Sequence, residues 1–315
     1  MSTTPPISHR SIRFRFAASL GANILRAGLS FITGLVVARG IGPSEFGEFT
    51  FLLGSFTAIR QLLDMGSSNA FFTFLSRNRR TKGFVFVYLA WQGLQFILPV
   101  IAIGFLLPQQ WIDLIWIGRD RSLVVAALAA SFMQQQAWQS FMQIGDSLRQ
   151  THRVQLVGLA TTGVHFVLVV FAWQQGLLGL YLLFAFIACE YLAASMLVWY
   201  MLRSELDRST QPLDMRALGR QYWAYCAPLA IYSWLGFAYT FSDNWMLQRF
   251  GGSVQQAFYA IGAQFSTLSM FATASLLQIF WKEVAEAQAR GDREVIERLY
   301  RKVSRLLYAV AAVIS

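Results

Sequence analysis

Between residues 16 and 75 the chain holds two apolar runs, 16–41 and 49–75, joined by a tight turn, Gly42-Pro43-Ser44-Glu45-Phe46-Gly47. Each run exceeds the ~20 helical residues needed to cross a hydrocarbon core. Charged residues nevertheless sit well inside both: Arg26 in the first, Arg60 and Asp64 in the second. A charge at that depth costs about 2.5–3.5 kcal/mol on insertion scales, so such side chains usually face a bundle interior or a watery cavity. The hairpin reads as one wall of a polar cavity inside a membrane protein.

Only 13% of the 315 residues are charged and 56% are hydrophobic, with the apolar runs spread from end to end. This excludes a soluble domain with a single anchor, because soluble chains carry about 25% charge. The net charge of +10 does not point to nucleic acid, since the basic residues sit between apolar runs rather than on one face. Cys189 and Cys226 fall in or beside apolar runs, so neither a disulfide scaffold nor a zinc site is implied. No cofactor is expected.

The apolar pattern predicts an all-α, polytopic bundle. After a basic tail (1–15), helices are expected at 16–41, 45–75, 84–107, 123–144, 154–173, 177–202, 222–247 and 256–281, followed by a charged helical extension at 282–305. Pro99 predicts a kink in the third helix. The loop 108–122 carries Trp111 and Trp116, placed like interfacial anchors. Lysines and arginines divide unequally between the two sides: 20 on the side of the N-terminus, 4 on the other and 2 within helices. That bias predicts a cytoplasmic N-terminus.

A weak internal repeat overlays residues 39–49 on 249–259. Arg39 meets Arg249, Gly42 meets Gly252, Gly47 meets Ala257 and Phe49 meets Tyr259; further on, Thr57 meets Thr267. This implies a six-helix unit repeated in one orientation, a transporter device. The domains expected are a six-helix lobe at 1–205 and the start of a second lobe at 206–315, truncated within its third helix.

The residues Asn23-Ile24-Leu25-Arg26, then Ala38-Arg39-Gly40-Ile41-Gly42-Pro43-Ser44-Glu45-Phe46-Gly47, then Asp64-Met65-Gly66 resemble the start of bacterial polysaccharide flippases. These are the oligosaccharide-lipid transporters of the multidrug/oligosaccharidyl-lipid/polysaccharide exporter superfamily. The most specific elements are the Gly-Pro-x-x-Phe-Gly turn and the Asp-x-Gly. The resemblance implies two lobes around a central cavity in the bacterial inner membrane. It also implies transfer of an undecaprenyl-diphosphate-linked oligosaccharide from the cytoplasmic to the periplasmic leaflet, for cell-envelope polysaccharide such as lipopolysaccharide. The expected partners are that lipid-linked oligosaccharide, the bilayer and other polysaccharide assembly proteins. The family has at least twelve helices, more than this chain holds.

Against that background, Arg26 is the first candidate to hold a diphosphate. Its fork matches phosphate oxygens, it never deprotonates, and no acidic residue lies within a turn of it. Asn23 shares its face. A structural partner on another helix, such as Glu190, is the competing reading. Arg60 is the second candidate, with Gln61 on a polar stripe that also includes Thr50, Gly54, Thr57, Asp64 and Ser68. Arg60 and Asp64 are four apart and can instead neutralise each other. Gln136, Gln139 and Gln143 are expected on one face, either binding sugar hydroxyls or joining helices. Glu190 is a candidate proton or sodium site, or a neutral acid hydrogen-bonded in the core. His165 reads as a hydrogen-bonded core histidine. Asp243 and Asn244 read as solvated.

Two other classes compete. A membrane glycan polymerase or ligase needs a catalytic constellation, and the loop 108–122 offers no acid/base pair or nucleophile. A drug/cation antiporter of the same superfamily favours acids, not Arg26 and Arg60, in its cavity. The chain reads as a transporter rather than an enzyme.

Overall fold

A computed structural model describes residues 9–77, 81–206 and 215–267, together with 297, 300, 301, 304 and 305; the side chains of 9–20, 22, 23, 77 and 215 are outside the described set. The expected charged extension at 282–305 and the far half of the eighth helix therefore lie mostly outside the described residues. The chain is an all-α polytopic membrane protein, and no strand forms among the described residues.

Helix α1 (His9–Asp64) starts inside the expected tail and contains the first predicted apolar run and most of the second, bent at Gly42 with φ 81° and ψ 167°. A positive φ is open to glycine at little steric cost, and Pro43 next to it supplies no N–H donor, so the ladder breaks there. The result is two limbs, before and after residue 42. Gly252 repeats the conformation with φ 80° and ψ 172°. The two corners that the internal repeat aligned thus share a backbone geometry. Thr57 and Thr267 also agree, each returning its hydroxyl to the carbonyl four residues back.

The second apolar run is not one continuous helix. Met65 (φ 43°) and Gly66 (φ 82°) break it, and α2 (Ser67–Arg77) restarts it. Asp64 makes the restart possible by capping: its Oδ1 accepts the Ser67 hydroxyl at 2.9 Å, the Ser68 N–H at 3.0 Å and the Ser68 hydroxyl.

Next come α3 (Lys82–Ile101), capped by the Thr81 side chain, and a wide π turn at Ala102–Leu106. The kink expected from Pro99 takes the form of that π turn, three residues later. Arg121 donates to the carbonyls of Gly104 (2.9 Å) and Leu107 (2.8 Å), closing the helix end with a cation. The short α4 (Gln109–Ile115) lies in the connecting loop. Helices α5 (Arg121–Ser131) and α6 (Trp138–Ser147) form one rod interrupted by a second π turn, Phe132–Ala137. Then follow α7 (Thr151–Gln174), α8 (Leu180–Leu202), α9 (Met215–Met246) and a third π turn, Leu247–Gly251. A helical run at 252–267 continues from it.

Among the described residues, four stretches are long and apolar enough to cross a membrane: Ile24–Asp64, Lys82–Leu106, Thr151–Gln174 and Leu180–Leu202. The first of these is the bent pair of limbs. The rod α5–α6 is not among them, because its middle is amide-rich.

Two compact units divide the chain at Phe258 and Tyr259. Within the first unit α9 packs along α1 and α2. The first unit holds two apolar clusters. One gathers Phe51, Leu52, Phe56, Ile112, Trp116, Val124 and Phe184. The other gathers Phe71, Phe84, Tyr88, Trp138, Val154, Val198 and Leu202. Trp116 is not an interfacial anchor: it is 2% exposed and stacks on Phe56 at 5.7 Å, because α4 folds back onto the bundle, whereas Trp111 is 55% exposed. An Arg119–Glu48 ion pair of 2.8 Å fixes this loop to the Gly42 corner.

Candidate functional site

Three helices put polar residues between the two apolar clusters. The second limb of α1 contributes Thr57, Arg60 and the Leu63 carbonyl; α3 contributes Gln92 and Gln95; the α5–α6 rod contributes Gln135, Gln136 and Ser140. These groups bond to one another across the helices. Gln136 is 3% exposed, and its amide donates to the Gln95 side-chain oxygen. Gln95 in turn donates to the Leu63 carbonyl at 2.7 Å. Gln92 donates to the Ser140 hydroxyl at 2.6 Å and to the Tyr88 hydroxyl at 3.2 Å. Tyr88 donates to Ser68, which reaches Asp64. Buried polar groups must find partners, and here they find them across helices.

The π turn explains part of this arrangement. Widening the backbone to i→i+5 bonding loosens the ladder at 132–137. The carbonyls of Gln135 and Gln136 take side-chain donors: Arg60 Nη1 reaches Gln135 at 3.2 Å, and Ser140 Oγ reaches Gln136 at 3.0 Å. Gln135 also donates to Thr57 at 2.8 Å.

Several sequence expectations change as a result. Arg60 and Asp64 do not pair; Asp64 is taken by the serines of α2, and Arg60 is turned toward the α5–α6 rod. Its Nε is buried with no hydrogen-bond partner among the described residues. Gln136, Gln139 and Gln143 do not share a face: Gln136 and Gln143 are buried while Gln139 is exposed, because the π turn rotates the residues beyond it. Gln136 joins helices rather than lining an open cavity. Gln61 lies against Gly236 of α9, where a Cβ would stand 3.0 Å from its amide. Asn244 is not simply solvated; it accepts from Gln256 at 3.1 Å and packs on Gly54. Asp243 is exposed.

Arg26 lies apart from this layer, on the first limb of α1 where it packs along α7. Its guanidinium crosses α7 at Gly158: a Cβ built there would meet Arg26 Nη1 at 3.3 Å and the Trp138 ring at 3.0 Å. Trp138 stands edge-on to Tyr191 at 5.9 Å. The guanidinium thus lies against α7 at Gly158, where Trp138 also packs. Among the described residues no carboxylate pairs with it. The side chain of Asn23 lies outside the described residues.

Glu190, the partner considered for Arg26, pairs instead with His165, Nδ1 to Oε2 at 2.9 Å. Sequence reading left Glu190 as a candidate proton or sodium site or a core acid and His165 as a core histidine, without joining them; they are 25 positions apart on different helices, and no local pattern links them. The positions of Gly158, Trp138 and Tyr191 around Arg26 carried no sequence signal either.

A family model described as polysaccharide biosynthesis protein matches residues 15–280. The chain belongs to that family. The match covers both corners, the polar layer and Arg26, and it bears out the family resemblance drawn from the Gly-Pro-x-x-Phe-Gly turn and the Asp-x-Gly. No curated protein and no solved structure matches the chain significantly. For this polysaccharide biosynthesis protein, the multi-pass helical architecture and the family assignment agree.

Proposed function

We propose that this chain moves an undecaprenyl-diphosphate-linked oligosaccharide from the cytoplasmic to the periplasmic leaflet of a bacterial inner membrane, by alternating access, for polysaccharide assembly. The observation that carries this reading is Arg26. It is a permanently charged fork inside a membrane helix, seated over Gly158, where Trp138 also packs, with no carboxylate partner among the described residues. A diphosphate offers the paired oxygens that such a fork recognises. Arg60, already engaged with a backbone carbonyl, is the secondary contact.

The basic asymmetry of 20 against 4 supports a cytoplasmic N-terminus, with the Gly42 corner and α4 on the periplasmic side. The partners are then the lipid-linked oligosaccharide and neighbouring assembly proteins. Transport rather than covalent chemistry is the activity. The test is export in cells that depend on this protein. Arg26→Ala abolishes surface polymer and lets lipid-linked repeats accumulate in the inner leaflet at normal protein level, while Arg26→Lys keeps partial export. Wild-type export by Arg26→Ala would return Arg26 to a packing role.

A further inference from the structure

We propose that a groove between α3 and α9 holds one anionic glycerophospholipid of the bilayer. An acyl chain fills the groove, a glycerol ester meets the Tyr222 hydroxyl, and the phosphate lies at the basic start of the two helices. The site is separate from Arg26 and does not depend on the flippase reading.

The groove has a volume of about 400 Å³ and an almost wholly apolar lining. Phe84, Val87 and Trp91 line it from α3, and Leu218, Gly219 and Trp223 from α9. From 84 to 91 a helix rises by about 10 Å, so the groove follows the bundle along that length. Trp91 and Trp223 stay exposed, which leaves one side open. Residues 63–65 and 67, at the break between α1 and α2, also line it. An apolar void forfeits packing contacts and offers water too few partners; a hydrocarbon chain supplies what is missing. Asp64 is the acid in the lining. The serines of α2 hold its Oδ1, and the 11 residues of α2 separate it from the basic loop that follows.

One polar group decides which lipid fits. The Tyr222 hydroxyl is buried and has no hydrogen-bond partner among the described residues. Its ring is fixed by Phe74 at 5.2 Å and Phe84 at 6.3 Å. A buried hydroxyl calls for a partner, and this one can donate to an uncharged carbonyl. A glycerophospholipid presents a phosphate, then ester carbonyls, then its chains. The protein offers matching groups in the same order. Lys82 opens α3, and Arg216 and Arg220 lie exposed in the first turns of α9. Arg216 shares a helical face with Gly219 and Trp223. Tyr222 follows Arg216 by about 9 Å along the axis, and the apolar lining extends past it. Basic groups between membrane helices bind anionic headgroups. A zwitterionic headgroup brings its own cation against these residues. A polyprenyl phosphate has no ester carbonyl and would leave the Tyr222 hydroxyl unpaired.

The test is native mass spectrometry of the delipidated full chain in detergent. Dioleoyl phosphatidylglycerol, its diether analogue and dioleoyl phosphatidylcholine are offered at equal concentration. Wild type should hold one phosphatidylglycerol, preferred about two- to tenfold over the diether form and about fivefold over phosphatidylcholine for each cation engaged. Tyr222→Phe should erase the diester preference yet still hold lipid. Lys82→Gln with Arg216→Gln should lower the headgroup preference about fivefold per cation removed. Gly219→Phe fills a position where an added Cβ meets nothing within 4 Å, and it should lose the lipid. Equal retention by Gly219→Phe and wild type, or wild-type binding without either preference, overturns the site. Undecaprenyl phosphate that displaces phosphatidylglycerol from wild type and fails to bind Gly219→Phe assigns the groove to an isoprenoid tail and also overturns it. Should the variants fail to fold, wild type is photo-crosslinked with phosphatidylglycerol carrying a diazirine on its acyl chain. Label within 84–91 and 218–226 supports the site, and label confined to other segments overturns it.

Discussion

Gly47 on the second limb of α1 touches the backbone of Ser253: a Cβ at residue 47 would stand 1.7 Å from the Ser253 carbonyl oxygen. Gly47, five residues past the Gly42 corner, therefore meets the residue that follows the Gly252 corner backbone to backbone. Farther along, Gly54 meets Asn244 and Gln61 meets Gly236, so the limb and α9 run antiparallel in close contact. Gly47→Ala forces those backbones apart and is expected to destabilise the purified protein by about 1–3 kcal/mol, the usual range for overpacking. Gly28→Ala, with open space around its Cα, is the control. Unchanged melting of Gly47→Ala relative to that control would show that the corners do not pack this way.

Asp64 acts as a helix cap and not as the counter-ion of Arg60. Asp64→Ala should lose about 0.5–2 kcal/mol, whereas Asp64→Asn or Asp64→Ser, which keep an acceptor, should lose much less. Without a shared partner, Asp64→Asn and Arg60→Gln should combine additively, within about 0.5 kcal/mol. A coupling energy of several times that value in thermal or denaturant melts would re-establish the ion pair.

Removing the Gln136 amide strips the donor from a buried acceptor on Gln95. Gln136→Leu should therefore cost about 1–3 kcal/mol. Gln95→Leu added to it should cost less than the sum of the two single changes, since the orphaned group is then gone. Strict additivity in detergent melts would indicate that the two side chains do not meet.

Sidedness is open to direct labelling. In a cysteine-free background, Gln110→Cys on α4 should react with a membrane-impermeant thiol reagent in intact cells, and Ser204→Cys beyond α8 should not. The reverse pattern would invert the orientation and place the Arg26 end of the bundle outside.

Much of this was legible in the sequence because hydrophobic periodicity and helix punctuation are local. The apolar runs, the Gly42-Pro43 corner and its counterpart at Gly252 all depend on residues adjacent in the chain. The break at Met65 and Gly66 was not read, because Asp64 and Ser68 at helical spacing suggest a continuous stripe, while the structure uses the same two residues to stop and restart the helix. The π turn at Phe132–Ala137 has no residue signature, so the face shared by Gln136 and Gln139 was drawn on the wrong helical period. Burial of Trp116 depends on a loop folding back. The His165–Glu190 contact depends on two helices meeting. Both are tertiary events beyond the reach of spacing.

The polar layer between the two apolar clusters also bears on how the protein is made. The α5–α6 rod is too rich in amides to enter a bilayer readily by its own hydropathy, and its glutamines would be left without partners in lipid. Every partner that Gln135 and Gln136 find on another helix, Thr57, Arg60, Gln92 and Gln95, lies earlier in the chain. When the rod leaves the ribosome, a receptive surface has already been synthesised. The order of the helices thus means that the partners the rod's amides need, on α1 and α3, are made before the rod itself.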